Sequence, residues 1–243
     1  MGEKQTKMNS TGGRSQKERG LTRFFKRFPP YVWITFTLVL SFQMLVFYGS
    51  RVFLPYLPQY SPVTWLDLQI PLIPEWLIVY FLSYFSWVLT VLLILAENKD
   101  HGYRFAIAYT ISLFITLIFF LAWPLTMERP EITENGFFYD WLRFLYSVDE
   151  PVNFCPSLHV LISYMCFRGC LGCRKIPRAY TVFQGIFLIL VCFSVVFLKQ
   201  HLVIDIPVAI AVGEFSLQTA RLLRAEHFPY LLERVIKKDK KRR

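Results

Sequence analysis

Six runs of this chain, near residues 31–49, 75–96, 103–123, 157–172, 179–198 and 203–223, are apolar over about the length of a membrane crossing. No other feature limits its folding as strongly, because a helix of about 20 apolar residues is what traverses about 30 Å of hydrocarbon. The first, second, third and fifth runs are apolar throughout. The fourth carries Arg168, and the sixth carries Asp205, Pro207 and Glu214. Lipid tolerates no exposed irregular backbone, so both are expected to be helices that turn their polar positions toward a bundle interior. The expected fold is all-α: a polytopic membrane protein built as a six-transmembrane-helix bundle.

The distribution of charge tests this topology. The chain of 243 residues is 54% hydrophobic and still has a formal net charge of +10, with a mean hydropathy of +0.39. A soluble domain does not combine these values. If the six runs cross a membrane, 23 of the 27 Lys and Arg residues fall on one side, and only Arg51, Arg129, Arg143 and Lys199 fall on the other. The positive-inside rule then makes both termini cytosolic. Three parts are expected: a basic, disordered tail over 1–28, the membrane bundle over 29–225 and a basic tail over 226–243. The tails suit anionic lipid headgroups better than nucleic acid. The first apolar run starts about thirty residues in and has full spanning length, so it is expected to remain as an anchor. The opening MGEKQT fits an acylation pattern that adds little to a chain already held by six spans.

The connections differ in character. Residues 50–74 hold Pro55, Pro58, Pro62, Pro71 and Pro74 among Tyr56, Tyr60 and Trp65, which rules out a long helix and favours a segment at headgroup level. The longest connection, about 124–156, contains FFYDWLRFLYSV, which reads equally as a short amphipathic helix in the interface, able to act as a lid, and as a plain belt of aromatic anchors. Cys170 and Cys173 form a CxxC with no second pair and no His pair at metal spacing, so small side chains at a helix end are the simpler reading. No internal repeat supports a transporter, and the charges sit at span ends and not at the midplane.

Three polar clusters share the outward ends of the apolar runs: MERPEI after the third, NFCPSLHV opening the fourth and FLKQHLVID between the fifth and sixth. His201 and Asp205 are four apart, a spacing at which the carboxylate can hold one imidazole nitrogen and leave the other basic, as a nucleophile or general base needs. His159, on another helix, could oppose it as the acid that protonates a leaving oxygen. Arg129 and Lys199 supply cationic donors, and Ser157 supplies a hydroxyl beside a helix start, where amides favour anions. Together these groups describe an oxyanion pocket, most simply for phosphate, at the lipid interface. No third histidine or carboxylate cluster completes a zinc set.

At these residues the sequence resembles the type 2 phosphatidic acid phosphatase superfamily, which includes lipid phosphotransferases such as inositol phosphorylceramide synthase. The resemblance rests on Arg129-Pro130, on Pro156-Ser157-Leu158-His159, and on Ser194, His201 and Asp205 in the third motif. It implies six transmembrane helices and a phosphohistidine formed on His201, with Asp205 orienting that histidine. It also implies leaving-group protonation by His159, phosphate oxygens held by Arg129 and Ser157, and no cofactor or metal. Ala122 stands where the first motif has lysine, Leu158 where the second commonly has glycine and Val195 where the third has arginine. Two of the three usual cations are therefore absent. Lys199 is expected to replace part of that charge, and diphosphate substrates become less expected. Leu158 matches the inositol phosphorylceramide synthase branch and adds weight to headgroup transfer.

The expected function is thus a membrane lipid phosphatase acting on a lipid phosphate at the extracytoplasmic face, with a phosphotransferase and a non-enzymatic lipid-binding scaffold as alternatives. A bacterial source puts the protein in the cytoplasmic membrane, and a eukaryotic one puts it in an endomembrane.

Overall fold

The computed structural model describes residues 28–230. The expected tails and the MGEKQT pattern lie almost wholly outside the described residues. Eight α-helices lie wholly within the described residues: α1 (Pro30–Arg51), α2 (Trp65–Gln69), α3 (Leu77–Leu95), α4 (Lys99–Ala122), α5 (Phe137–Val148), α6 (Leu158–Cys170), α7 (Arg178–Phe197) and α8 (Asp205–Leu222). Short 3-10 turns at Leu54–Tyr56 and Pro74–Trp76 extend α1 and precede α3. The fold is all-helical, with no strand among the described residues.

Local sequence explains the helix limits. Pro29 and Pro177 precede α1 and α7, where a proline's missing N–H has no cost. The Asn98 side chain accepts from the His101 amide to cap α4, and Ser157 does the same for α6 through the Val160 amide. Thr64 and Asp67 form a reciprocal capping box that lets a helix as short as α2 stand.

Among the described residues four helices are long and apolar enough to cross a membrane: α1 with its following turn, α3 with its preceding turn, α4 and α7. The fourth and sixth apolar runs do form helices but fall outside that group. Helix α6 has only 13 residues, about 20 Å at 1.5 Å per residue. Helix α8 has 18 residues and carries Asp205 and Glu214. Their polar residues face each other: the Arg168 guanidinium donates to both Glu214 oxygens at 2.9 Å, and Tyr164 donates to the same carboxylate at 2.6 Å. Gly213 allows this approach, since a Cβ there would lie 2.7 Å from the Tyr164 ring.

Helix α4 packs against α1 and α8, while α6 packs against α7, α8 and α3. The outward surfaces are apolar in helical stripes. On α3 the stripe is Ile78, Leu82, Phe85 and Leu89, and on α7 it is Val182, Ile186, Ile189 and Phe193. Exposed apolar stripes on several helices at once suit a hydrocarbon surrounding and not water. Helix α5 occupies the same twelve residues expected for the amphipathic segment. It buries Leu142 and Leu145 and exposes Phe137, Trp141, Phe144 and Val148.

Candidate active site

The connection between α7 and α8 is a tight turn. The amides of Gln200 and His201 both donate to the Val195 carbonyl, at 2.9 and 3.1 Å. Lys199 adopts φ +50°, in the left-handed region. His201 therefore lies in the turn that precedes α8 and not within a helix, and Asp205 is the first residue of α8. Pro207 falls in the first turn of α8, where proline is tolerated, so it does not break the backbone between the two site residues.

The four-residue spacing nevertheless brings the two side chains together. His201 Nδ1 lies 2.8 Å from the Phe154 carbonyl oxygen and 3.2 Å from Asp205 Oδ2. Both neighbours are acceptors, which assigns the proton to Nδ1 and leaves Nε2 as the bare nitrogen of a neutral ring. Asp205 is fully buried. Its Oδ2 also accepts from the Leu202 amide at 2.8 Å, so the carboxylate is fixed independently of the histidine it orients. Beside it, the Cys155 thiol is pushed up to about 12 by burial and then by the charge of Asp205. It therefore remains a thiol and is no competing nucleophile.

His159 enters from the first turn of α6. Its ring stacks on Tyr80 with centroids 4.2 Å apart, and Trp87 lies 5.1 Å away. Its Nε2 meets the Tyr84 hydroxyl at 3.1 Å. The centres of the His159 and His201 rings are 6.0 Å apart.

Arg129 reaches the same space from the loop after α4. Its guanidinium stands 4.4 Å above the Tyr146 ring of α5. It donates to the Asp149 carbonyl at 2.5 Å and to Gln200 Oε1 at 3.0 Å. Burial pushes the guanidinium down from its ordinary value, opposed by the charge of Asp149. Arginine stays protonated even so. Asp149 is itself engaged with Arg51 at 2.5 Å.

Arg129, His159 and His201 thus line one cavity with Asp149, Asn153 and Gln200. Its empty volume, open mouth included, is about 680 Å³. A second, apolar cleft runs between α1 and α3 past Phe36, Val39, Leu40, Val88 and Val91. Gln43, Met44, Tyr84 and Trp87 line both spaces.

Two expected site residues are not brought to the cavity. Lys199 points to the connection between α1 and α3, where its ammonium donates to the carbonyls of Asp67 at 2.8 Å and Ile70 at 2.5 Å. The left-handed backbone turns it away from His201, and burial pushes its ammonium down from the ordinary lysine value. The expected phosphate contact from Lys199 is therefore replaced by a clamp. Asp67 Oδ1 accepts from the Val203 amide at 2.8 Å, so the α2 segment grips the His201 turn from both sides. Ser157 is fully buried. Its oxygen caps α6 and its amide lies 3.5 Å from the Asp205 carbonyl, so it ties two site helices together and does not face the cavity.

Gln200, Tyr84 and Asp67 were not picked out by the sequence. Gln200 carried a weak signal, as a polar neighbour of His201 in an apolar stretch. Tyr84 carried none, because it acts on a residue 75 positions away, and Asp67 carried only the three-residue spacing from Thr64 that makes a helix cap.

Six buried side-chain polar atoms lack a partner among the described residues: Arg51 Nε, Tyr80 Oη, Arg129 Nε, Asn153 Oδ1, Gln200 Nε2 and Asp205 Oδ1. All belong to the end of the bundle that carries the cavity. Unpartnered buried polar atoms are rare and costly, and a cluster of them suits a place that water or a ligand completes. Arg129 Nε and Gln200 Nε2 are donors on residues that line the cavity with His201, which suits an oxyanion. Among the described residues no group of three His, Cys, Asp or Glu side chains assembles as metal ligands. Comparison with protein-family models, with curated proteins and with solved structures finds no match for this chain.

Proposed function

We propose that this chain is an integral membrane lipid phosphatase of the type 2 phosphatidic acid phosphatase kind, hydrolysing a lipid phosphomonoester through a phosphohistidine on His201. The observation that carries this reading is the pair of unpartnered donors, Arg129 Nε and Gln200 Nε2, on residues that share a cavity with the bare Nε2 of His201. In this reading the phosphate takes those donors. His201 Nε2 attacks phosphorus, the bond from phosphorus to the lipid oxygen breaks, and the proton for that oxygen originates on His159. Asp205 and the Phe154 carbonyl stabilise the imidazolium-like charge that grows on His201. Water then attacks phosphorus, frees His201 and returns a proton to His159.

The apolar cleft that shares four lining residues with the polar cavity supports a lipid over a soluble ester. It would hold a chain whose headgroup sits among the histidines. We further take all of α1, α3, α4, α6, α7 and α8 as spanning, with both termini cytosolic. The helix pair α6 and α8 is then sheltered by its neighbours and by the half-buried pairing of Arg168 with Glu214. The site end lies on the extracytoplasmic side, in the cytoplasmic membrane of a bacterium or facing the lumen of a eukaryotic endomembrane.

One observation favours a second reading, transfer of a phosphorylated headgroup to another lipid. Leu158 lines the cavity where the family commonly has glycine, and its apolar side chain favours a lipid hydroxyl over water as the group that relieves the phosphohistidine.

The test is phosphate release from short-chain lipid phosphates by purified protein with EDTA present, beside His201→Ala. Release that the substitution abolishes is expected. Headgroup exchange between labelled lipids without free phosphate would move the assignment to the transferase, and silence in both assays would leave a binding protein.

A further inference from the structure

We infer that the Tyr84 hydroxyl is the group that hands the proton to the leaving lipid oxygen, relaying it from His159. This rests on the phosphatase reading above and names a residue which that reading does not contain. The distal nitrogen of His159, Nε2, is occupied by the Tyr84 hydroxyl at 3.1 Å, within reach for proton transfer. Tyr80 covers one face of the imidazole at a centroid distance of 4.2 Å, and Trp87 stands 5.1 Å away.

The two clefts fix where the leaving oxygen must sit. In a lipid phosphomonoester it is the atom between phosphorus and the chain. With phosphate in the polar cavity and the chain in the apolar cleft, it lies at their junction. Gln43, Met44, Tyr84 and Trp87 line that junction. Met44 has no proton to give. The Trp87 N–H donates to Ser163 Oγ at 2.9 Å and Gln43 accepts from Tyr109 at 2.6 Å, and neither an indole nor an amide serves as an acid. Tyr84 alone of the four offers an ionisable O–H, and it alone is bonded to a site histidine.

The step balances as follows. His201 Nε2 forms the bond to phosphorus with its lone pair, and the bond from phosphorus to the lipid oxygen breaks with its electron pair going to oxygen. That oxygen takes the Tyr84 hydroxyl proton, and the Tyr84 oxygen takes the Nε2 proton of a protonated His159, which is left neutral. In the second step the attacking water gives its proton to the Tyr84 oxygen as the hydroxyl proton returns to His159, and the phosphohistidine bond breaks.

The experiment compares Tyr84→Phe, which keeps the ring and removes only the oxygen, with wild type on two substrates. One is dioctanoyl phosphatidic acid, whose leaving oxygen needs a proton. The other is p-nitrophenyl phosphate, whose leaving oxygen does not. The expected result is a fall in kcat of about 10²-fold or more on the lipid phosphate, the scale of general acid catalysis, and a fall several-fold smaller on the aryl phosphate. His159→Ala should show the same preference, and the double variant should lose little beyond either single one. An equal loss on both substrates would reduce Tyr84 to packing, and no loss on the lipid would remove it from the reaction; either overturns the relay while leaving the phosphatase standing. Wild-type protein inert toward both compounds overturns the phosphatase reading, and the relay falls with it.

Discussion

The two ends of the bundle treat polar groups in opposite ways. At the end that carries Glu97, Arg104 and Arg174, the buried carboxylates of Glu97 and Glu226 both have partners of matching shape. The Glu97 carboxylate receives the amides of Arg174 and Lys175 at 3.0 Å each, and the Arg104 guanidinium meets Glu226 at 2.8 and 2.9 Å. Burial alone would raise the Glu97 carboxyl, but those two amides and Lys175 hold it below the usual carboxylate range. At the other end, Arg129, Gln200, Asn153 and Asp205 each keep a buried polar atom without a partner. Pairing stabilises a fold, while unpaired donors stabilise only what arrives to meet them. One end pairs its buried carboxylates, and the other leaves buried polar atoms without a protein partner, which is the difference the proposed function draws on.

Substitutions at the two ends should therefore separate activity from stability. The largest effect is expected for Arg129→Lys. An ammonium has neither the stacking on Tyr146 nor the fork that reaches Gln200, and losing one such donor to a developing oxyanion lowers kcat about 10²- to 10³-fold. The melting temperature in detergent should stay within a few degrees. A variant that unfolds as readily as it loses phosphate release would erase the distinction between the ends.

Next comes Arg168→Met on the α6–α8 contact. It leaves the half-buried Glu214 carboxylate without its bidentate partner, at about 1.5–3 kcal/mol, and should lower the melting temperature well before it changes KM. Thermal unfolding monitored by circular dichroism reads this directly, and an unchanged midpoint would show the pair to be ornamental.

A smaller effect belongs to Asp67, the carboxylate that clamps the His201 turn. Burial acts to raise its pKa, but the Thr64 hydroxyl, the Val203 and Thr64 amides and the charge of Lys199 together hold it below 3.8. Because the folded value is the lower one, its contribution is complete above the unfolded value near 3.8 and is lost as pH falls through the folded value. Asp67→Asn should cost about 1–3 kcal/mol at neutral pH and flatten the acid limb of a stability profile below pH 4. A profile of unchanged shape would place the clamp elsewhere.

The smallest effect concerns cysteine. Burial pushes the thiols of Cys155 and Cys173 up to about 12, so neither supplies thiolate at pH 8. Incubating the folded protein with a maleimide at that pH should leave both unmodified by mass spectrometry and phosphate release intact. Rapid labelling of Cys155 in particular would mean that the Asp205 corner opens in solution.

Much of this was legible in the chain itself. The apolar runs located six of the eight helices to within a few residues, because a helix facing lipid has to be apolar over its whole outward stripe, and that pattern is local. The His201 and Asp205 contact was legible for the same reason, since four residues of separation carry it whether the backbone is a helix or, as found, a turn. The sequence could also bring Arg129, His159 and His201 to one end of the molecule, as they follow the third apolar run, open the fourth and follow the fifth.

Which side chains face the cavity was decided only by the tertiary structure. Lys199 is two residues from His201, yet the left-handed backbone at that position sends its ammonium to the carbonyls of Asp67 and Ile70. Gln200, an uncharged neighbour, takes the place beside Arg129. Ser157 spends its oxygen on a helix cap, and the partner of His159 comes from Tyr84, 75 positions earlier in the chain. Residue type and spacing determine what a position can do within its own turn of backbone. Direction across the bundle depends on where separate helices pack, and that is set by the whole core at once.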